Sequence, residues 1–189
     1  MKVRDTALPG CLLFEPAVFE DARGHFFEVW SRKAFATRGI DPAFVQGNVS
    51  RSTRGVLRGL HYQSPFSQGK LLTVQDGAVF DVAVDLRRGS ATFGQWAGEV
   101  LSDANRRSFW VPPGFAHGFV VLSESATFSY LVTAPYTPAA EGFIRWDDPA
   151  IGIRWPIQDP VLNLRDASAP TLDAVPLDRL PVLAECAVC

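Results

Sequence analysis

Cysteine and histidine are scarce in this chain, which has three of each among 189 residues. The cysteines are Cys11, Cys186 and Cys189, and an odd number without an export signal predicts a protein of the reducing cytoplasm. Cys186 and Cys189 form a Cys-x-x-Cys pair, but no second pair or neighbouring histidine completes a zinc site. We therefore interpret this pair as part of a peripheral tail.

Long hydrophobic runs and an excess of basic charge are also missing. The apolar run after Pro9 and Gly10 is too short for the core of a signal peptide, and no later run approaches the length of a membrane-spanning helix. The formal net charge of -2 provides no general attraction for a nucleic-acid backbone. We expect neither a membrane nor a nucleic acid as partner, so any recognition of an anion must be local.

The composition that remains is typical of a globular protein. Hydrophobic residues make up 47% of the chain and charged residues 20%. A chain of this length usually forms one domain and can bury about 70% of the surface that its unfolded form exposes. We predict one domain over residues 1–189, in which residues 167–189 form a loosely packed, peripheral tail.

Short segments of alternating polar and apolar residues dominate the chain. Residues 78–86 follow a period of two, which is typical of a strand, and Asp76-Gly77 before them predicts a hairpin with residues 70–75. Further strands are predicted at residues 12–14, 25–29, 56–63, 93–101, 108–111, 118–122, 127–133 and 142–146. One helix of about two turns is predicted between Ser31 and Gly39. Many short strands separated by turns indicate an all-β sandwich or barrel.

The segment 51–75 contains the polar cluster on which the functional interpretation depends. It places His61 among cations that include Arg58 and Lys70. Because an imidazole titrates near neutral pH and fixed cations attract anions, the cluster predicts proton chemistry on an anionic ligand. Strict alternation would direct Arg58 and His61 to opposite faces of a strand. A shared pocket therefore requires an irregularity, which we predict at Gly59.

Four other side chains are candidates, although each also has an ordinary structural explanation. His117 could contact an anion or pair with a carboxylate, and Asp166 could orient an imidazole or simply lie on the surface. Tyr130 and Tyr136 could donate protons or pack as aromatic rings. Spacing alone does not decide between these roles.

A phosphate site and a metal site are the other possibilities. Arg23, followed by aromatic residues, would suit a phosphate next to a base. A metal site usually needs three or more protein ligands, and the histidine nearest to His61 along the chain, His25, is remote from it. We predict no metal site.

Six phrases follow one another along the chain: F-x-D-x-R-G-x-F-F-E, S-R-S-x-x-G-V-L-R-G-L-H-Y-Q, Q-G-K-L, F-D-V-A-V-D-L-R, P-x-G-F-A-H-G-F and W-D-D-P-x-x-G-I-x-W-P. Over residues 1–166 they resemble the dTDP-4-dehydrorhamnose 3,5-epimerase family. The resemblance implies a metal-free cupin, a jelly-roll β-barrel with extra strands and one or two short helices. It also implies a homodimer with strand exchange and a reaction that needs no cofactor.

The resemblance implies a dTDP-linked 4-keto-6-deoxy sugar as substrate. The keto group acidifies the C–H bonds at C3 and C5, so both centres can be inverted through an enolate. His61 would be the base, Asp166 its dyad partner and Lys70 the cation beside the enolate oxygen. Tyr130 would return a proton from the opposite face. Substrate binding would involve Arg23, Phe26, Glu28, Gln46, Asn48, Arg58, Lys70, His117, Tyr136, Glu141 and Arg165.

Two positions depart from the pattern of this family. Gly47 stands where the family has an aspartate beside the pocket, and Arg165 stands where it has a lysine. Both departures concern substrate contacts rather than proton transfer. Three alternatives remain open at this point: an epimerase that inverts one centre only, a metal-dependent cupin oxygenase, and a sugar-nucleotide binder without catalysis.

Overall fold

Residues 1–186 are described by a computed structural model, and strands make up most of the regular secondary structure in this part of the chain. The strands are β1 (Lys2–Asp5), β2 (Leu12–Glu15), β3 (Val18–Asp21), β4 (Gly24–Phe27), β5 (Gln46–Thr53), β6 (Leu57–Gln63), β7 (Lys70–Asp76), β8 (Ala78–Asp85), β9 (Trp96–Ser102), β10 (Ser108–Val111), β11 (Phe115–Val121), β12 (Ser125–Val132) and β13 (Glu141–Phe143).

The helical segments are short. They are the α-helices α1 (Arg32–Ala36) and α2 (Leu164–Ala167) and the 3₁₀ turns Pro138–Ala140, Leu172–Ala174, Leu177–Arg179 and Leu183–Glu185. None of the helices in residues 1–186 has the length and apolar character needed to span a membrane. The predicted helix after Ser31 is confirmed as α1, although the Ser31 side chain makes no capping hydrogen bond.

Two antiparallel sheets pack face to face. One runs in the order β1-β2-β10-β7-β12-β5 and the other in the order β13-β6-β11-β8-β9, while β3 and β4 form a separate hairpin. A core cluster joins the sheets, with Leu72 and Phe109 from the first sheet and Ala83 and Phe119 from the second. This arrangement confirms the prediction of an all-β jelly roll with additional strands and short helices.

Strand β8 confirms the alternation seen in the sequence but corrects its predicted pairing. Val79 and Ala83 pack between the two sheets, and Val82 and Val84 pack in a second core cluster on the opposite face. The predicted hairpin with β7 is wrong, because β7 and β8 belong to different sheets. A turn at Gly77 predicts a reversal of the chain but does not determine which strand the next segment pairs with.

Three strands were not predicted, namely β1, β3 and β5. Strand β5, with the sequence QGNVSRST, has a partly exposed and an exposed face through most of its length and lies at the edge of its sheet. A strand that buries few apolar side chains lacks the alternation that a sequence pattern detects. This omission matters because β5 carries Gln46 and Asn48.

The tail contradicts the prediction of a loosely packed segment. Leu172, Val175 and Leu180 are buried in the second core cluster, where they pack with residues such as Val84. The backbone N–H of Leu172 donates to the buried carboxylate of Asp148 over 2.6 Å. These apolar residues follow no helical or strand period, because they lie in and between single 3₁₀ turns. Periodicity therefore could not detect them.

The predicted Cys-x-x-Cys pair is described only in part. Cys186 is a buried free thiol whose pKa is raised by burial, and Cys189 lies outside the described residues.

Replacing Leu180 by alanine tests the packing of the tail. Leu180 is 2% exposed, so we expect the free energy of unfolding to fall by about 2–5 kcal/mol in denaturant titrations. Leu177→Ala is the matched control, because Leu177 is 67% exposed and should change stability by no more than about 0.5 kcal/mol. Equal effects of the two variants would contradict this packing.

Candidate active site

A cavity of about 310 Å³ lies between the two sheets. Its lining comes from β5, β7 and β12 of one sheet, from β6 and β13 of the other, and from neighbouring loops. The lining residues are Gln46, Asn48, His61, Tyr62, Gln63, Gln68, Lys70, Tyr130, Tyr136 and Glu141. The structure therefore brings together in this lining half of the predicted site residues, including three of the four predicted catalytic groups.

An irregularity at Gly59 directs Arg58 and His61 to the same face of β6. His61 pairs with His117 on β11, and Arg58 pairs with Phe119. The two residues of β6 are three positions apart, whereas their partners on β11 are two positions apart. Paired residues of antiparallel strands share a face, and His117 and Phe119 lie two residues apart on one face. The predicted bulge is thus confirmed.

Glycine is required at the bulge for two reasons. The φ of Gly59 is +118°, and a Cβ atom there would approach Gly118 Cα and the His117 carbonyl oxygen to 2.7 Å. Both contacts are with backbone atoms, which side-chain rotation does not relieve. The close approach of β6 and β11 at this point therefore depends on the absence of a side chain.

Replacing Gly59 by alanine should separate the two strands beside His61. We expect a loss of about 2–5 kcal/mol in stability from the unfavourable φ and the overlap, and about 100-fold in turnover from displacement of the imidazole. Gly89→Ala is the matched control, because Gly89 has φ +86° but a Cβ atom added to it would have nothing within 4 Å. If Gly59→Ala and Gly89→Ala lost equal stability and equal turnover, a special role of the close approach would be excluded.

His61 and Asp166 form a hydrogen-bonded pair at the cavity. The Nε2 atom of His61 lies 2.6 Å from Oδ1 of Asp166, whose side chain is fully buried. If Nε2 carries the proton that is donated to the carboxylate, Nδ1 holds the lone pair and can accept a proton. The ring of Phe143 packs edge-on against the imidazole with centroids 5.1 Å apart. The pair has the composition of a general base with an orienting carboxylate.

Asn163 is a residue of this site that the sequence analysis missed. Its side-chain oxygen caps α2 by accepting from the backbone N–H of Asp166, and its Nδ2 donates to Asp166 Oδ2 over 3.1 Å. The backbone N–H of Gly59 donates to the same oxygen over 3.3 Å. An asparagine three residues before an acidic residue is a helix N-cap signal that could have located this turn.

Lys70 is buried at the start of β7 and lines the cavity from the sheet opposite His61. Burial lowers its pKa to about 8, and the carboxylates of Asp81 and Glu141 partly oppose this effect. Most of the Lys70 side chains are therefore ammonium ions at pH 7. A buried cation is well suited to stabilise negative charge on an oxygen of a ligand.

His117 lies behind the cavity rather than in its lining. Its Nε2 atom is 3.0 and 3.1 Å from the two carboxylate oxygens of Asp81, and both side chains are buried. Burial lowers the pKa of His117, so the imidazole is neutral at neutral pH. The structure thus supports the interpretation of His117 as the partner of a carboxylate and leaves it outside the residues that line the cavity.

The two predicted tyrosines line different parts of the cavity. Tyr130 is partly buried on β12, and burial raises its pKa, which keeps the hydroxyl protonated at neutral pH. Tyr136 is more exposed and donates its hydroxyl proton to Glu141 Oε2 over 2.9 Å. This hydrogen bond raises the pKa of Tyr136. Arg165 Nη1 donates to the same carboxylate oxygen over 3.2 Å.

Strand β5 contributes an amide pair to the cavity. Gln46 Nε2 donates to Asn48 Oδ1 over 2.8 Å, and Gln46 Oε1 accepts from the backbone N–H of Tyr136 over 3.0 Å. Between them, Gly47 pairs with Leu131 and so faces away from the cavity. The glycine that departs from the family pattern therefore changes the outer face of the sheet and not the cavity lining.

Arg58 lies near the same cavity, outside its lining. Its guanidinium donates to Ser52 Oγ over 3.1 Å from Nε and 3.0 Å from Nη2. Its charge lowers the pKa of Tyr130 against the larger effect of burial. The hydrogen bonds to Ser52 place this guanidinium of β6 against β5 of the other sheet.

Arg23, Phe26 and Glu28 are not brought to this cavity within the chain. Arg23 and Phe26 belong to the β3–β4 hairpin region, which lines a separate surface depression, and Arg23 binds Asp21. Phe26 is 71% exposed. Among residues 1–186 no three histidine, cysteine, aspartate or glutamate side chains are grouped closely enough to hold a metal ion.

Comparisons with known proteins find the same family of epimerases by family model and by sequence identity. The family model described as dTDP-4-dehydrorhamnose 3,5-epimerase matches residues 5–174. A dTDP-4-dehydrorhamnose 3,5-epimerase of Pseudomonas aeruginosa is 56% identical over 168 residues, which cover 88% of this chain and 93% of the relative.

Two solved structures are similar over nearly their whole length. The dTDP-6-deoxy-D-glucose-3,5-epimerase of Legionella pneumophila in complex with dTDP-4-keto-L-rhamnose has a TM-score of 0.92 and 48% identity, covering 96% of this chain and 97% of its own. A 4-keto-6-deoxy sugar epimerase from the novobiocin biosynthetic gene cluster of Streptomyces spheroides has a TM-score of 0.94 and 39% identity, covering 99% and 96%. The jelly roll is therefore of the cupin type that the resemblance implied.

Proposed function

The chain belongs to the dTDP-4-dehydrorhamnose 3,5-epimerase family, and from this premise we propose that it converts dTDP-4-dehydro-6-deoxy-D-glucose to dTDP-4-dehydro-L-rhamnose. The observation that carries the proposal is the pair of His61 and Asp166 on one side of a cavity whose other side holds Lys70 and Tyr130. Inversion requires a proton acceptor and a proton donor on different faces of the same carbon.

Proton removal is assigned to His61. The neutral imidazole accepts the proton of C3 or C5 at Nδ1, and the buried Asp166 carboxylate stabilises the imidazolium that results. The electron pair of the broken C–H bond moves into the bond to C4, and the keto oxygen becomes an enolate oxygen. C3 and C5 flank the same keto carbon, so both inversions develop charge on the same oxygen.

Lys70 is assigned to that oxygen. A charged, buried ammonium provides a donor and a positive charge that are already in place when the enolate forms, which lowers the barrier to proton removal. No cofactor is needed, because the reaction moves protons and transfers no hydride or electron.

Proton return is assigned to Tyr130, which approaches from the sheet opposite His61. Burial keeps its hydroxyl protonated, so it has a proton to give. The enolate carbon takes this proton on the face opposite to the one that lost it. The configuration at the carbon is thereby inverted.

The nucleotide is proposed to bind at the mouth of the cavity. Tyr136 offers a partly exposed ring for the thymine, and Gln46 and Asn48 offer amide groups. Arg58 is the proposed diphosphate contact, and the Arg165–Glu141 ion pair borders the same opening. His117 is proposed to support the sugar site from behind the lining.

Nuclear magnetic resonance of the 4-keto sugar nucleotide in deuterated water tests the function. We expect deuterium at both C3 and C5 and product with both centres inverted. Exchange and inversion at a single carbon would support instead a single-centre epimerase, an alternative supported by the 36% identity and the TM-score of 0.88 to a 3'-monoepimerase of Streptomyces bikiniensis. Binding without any exchange would support a non-catalytic module, and activity that requires a stoichiometric metal ion would support a metal-dependent cupin.

We also propose a homodimer in which the β3–β4 hairpin of each protomer completes the cavity of the other. The hairpin forms its own two-stranded sheet, and its rings Phe19 and Phe26 are 66% and 71% exposed. Large exposed aromatic rings favour an interface. Arg23 has no hydrogen-bond partner in residues 1–186 other than Asp21 of the same hairpin, so its guanidinium is able to reach a phosphate outside its own protomer.

Complementation tests this exchange. His61→Ala and Arg23→Ala protomers are each expected to be weakly active alone. In a mixed dimer, one cavity would combine the intact His61 of one protomer with the intact Arg23 of the other. Activity should therefore rise well above that of either variant when the two are unfolded and refolded together. Absence of such a rise in verified mixed dimers would contradict the exchange.

Two further proposals concern the number of domains and the location of the protein in the cell. We propose that residues 1–189 form one domain, which is supported by the core shared between the two sheets. We propose the cytoplasm as its location, which is supported by the buried free thiols of Cys11 and Cys186.

A further inference from the structure

Asp81 is a buried carboxylate that the proposed reaction does not use. It lies in β8 on the inner face of the five-stranded sheet, between Val79 and Ala83 of the core. Its solvent exposure is 0%. Removing a carboxylate from water is costly unless partners compensate for the lost hydration. The partners of Asp81 therefore indicate what the carboxylate contributes.

The hydrogen-bonding partner of Asp81 is the neutral imidazole of His117. Both carboxylate oxygens lie within 3.1 Å of His117 Nε2, which donates its N–H to them. Burial raises the pKa of Asp81, and the attraction of His117 and Lys70 opposes this rise. A neutral donor orients the carboxylate without cancelling its charge. Lys70 projects from the inner face of the other sheet, on the side of β7 that carries the core residues Leu72 and Val74, so both charged groups face the same interior. The charge of Asp81 therefore acts on Lys70 across this interior.

Two carboxylates favour the charged form of Lys70, and they differ in how much of their negative charge is shared with other cations. Glu141 also accepts hydrogen bonds from Tyr136 and Arg165 at the mouth of the cavity, so its charge is shared with another cation. Asp81 has no such competing cation among its hydrogen-bond partners in the described chain. Its charge is also farther from water, where Coulomb attraction is less screened.

The titratable groups around Lys70 come from five strands. Asp81 on β8 and Glu141 on β13 are the anions that favour its charged form. His117 on β11 is neutral and buried behind the lining, and His61 on β6 and Tyr130 on β12 line the same cavity as Lys70. The anion farthest from solvent is thus the one whose loss should affect Lys70 most.

Building on the proposed function, we propose that Asp81 is a positioning residue that keeps Lys70 charged during the reaction, with His117 as the neutral donor that holds the Asp81 carboxylate in place. Asp81 does not touch the substrate in this scheme. It acts through Lys70, whose ammonium group would otherwise lose its proton in the buried site. Without that proton the amine could neither neutralise nor donate strongly to the enolate oxygen.

The chain contains three lysines, Lys2, Lys33 and Lys70, so isotope-labelled lysine gives a simple NMR titration. Lys70→Arg identifies the signal of Lys70. In the unmodified protein this signal should titrate near pH 8, well below the ordinary range of a lysine side chain. In Asp81→Asn the midpoint should move down by about one pH unit or more. Burial lowers the pKa of Lys70, and in this variant only Glu141 remains to oppose that effect.

A matched control removes a carboxylate from the far end of the strand that carries Lys70. Asp76 ends β7, is exposed and pairs with Arg51, so Asp76→Asn should leave the Lys70 midpoint unchanged. An unchanged midpoint in folded Asp81→Asn would overturn the proposal. If Asp81→Asn does not fold, Asp81→Ser provides the same titration with a smaller neutral side chain, and an unchanged midpoint there overturns the proposal equally.

The pH dependence of turnover gives a readout that a merely structural role would not change. Lys70 is charged below its pKa and neutral above it, so activity should fall as pH rises through about 8. In Asp81→Asn this fall should occur at lower pH, with turnover at pH 8 reduced about fivefold or more and largely recovered under more acidic conditions, and with KM little changed. A uniform loss at all pH values would contradict the positioning role. The lysine titration decides the proposal even if the protein proves to have no epimerase activity, so the two failures are distinguishable.

Discussion

Replacement of His61 by alanine is expected to abolish exchange of the C3 and C5 hydrogens of the substrate with deuterated water. The imidazole is the group at the cavity with a carboxylate at 2.6 Å and a second nitrogen free to accept a proton. General-base catalysis contributes about 10²–10⁴-fold to a rate, and we expect turnover to fall by at least that factor. Exchange and turnover are followed together by NMR, and exchange at the normal rate would refute the assignment.

Asp166→Asn is the informative companion of that variant. The amide has nearly the shape of the carboxylate but carries no charge, so substrate binding should persist while the imidazolium loses its stabilisation. We expect a fall in turnover that approaches that of His61→Ala, with a dissociation constant for the nucleotide sugar close to normal. A thermal unfolding midpoint near that of the unmodified protein would show that the loss is chemical. Full activity in a folded Asp166→Asn would remove the dyad from the mechanism.

Replacement of Tyr130 by phenylalanine is expected to separate the two halves of the reaction. The base, the lysine and the cavity remain, so the hydrogens should still be lost and replaced by deuterium from the original face. Return from the opposite face requires the Tyr130 hydroxyl, and formation of inverted product should fall by about 10²–10⁴-fold. Deuterium content of recovered substrate and of product distinguishes these steps. Normal stereochemistry at the full rate would contradict the assignment.

Tyr136→Phe is the matched control for Tyr130→Phe. It removes the same hydroxyl group from a tyrosine of the same cavity, but from the exposed mouth, where the hydroxyl binds Glu141. We expect a higher KM with turnover largely preserved. Similar stereochemical defects in both variants would indicate that neither hydroxyl has a special position.

The sequence predicted the parts of the site that follow from strand geometry. A period of two identified β8, and the same period required a break between Arg58 and His61, which the register at Gly59 confirms. Such conclusions depend only on which face a residue occupies. The roles of Asp166 and Tyr130 came from the resemblance, because a contact across 105 residues leaves no trace in local spacing.

Other parts of the structure were beyond the reach of local patterns. Strand β5 was missed because its side chains face a polar cavity and solvent, so it shows no apolar alternation. Asp81 was interpreted as one member of a strand pattern, since nothing in the sequence distinguishes a buried carboxylate from an exposed one. The pairing of β8 with β9 and β11 depends on the global topology, which a two-residue turn does not determine.

The docking of the tail has a consequence for the chemistry. Asp166 lies on a helix of four residues, and the segment that follows this helix is held by Leu172, Val175 and Leu180 in the core and by the bond from Leu172 to Asp148. The position of Asp166 beside His61 therefore depends on side chains that lie outside the cavity lining. Under the proposed mechanism, substitutions in this segment should displace Asp166 and slow proton transfer by His61, in a protein whose barrel and binding cavity are otherwise intact.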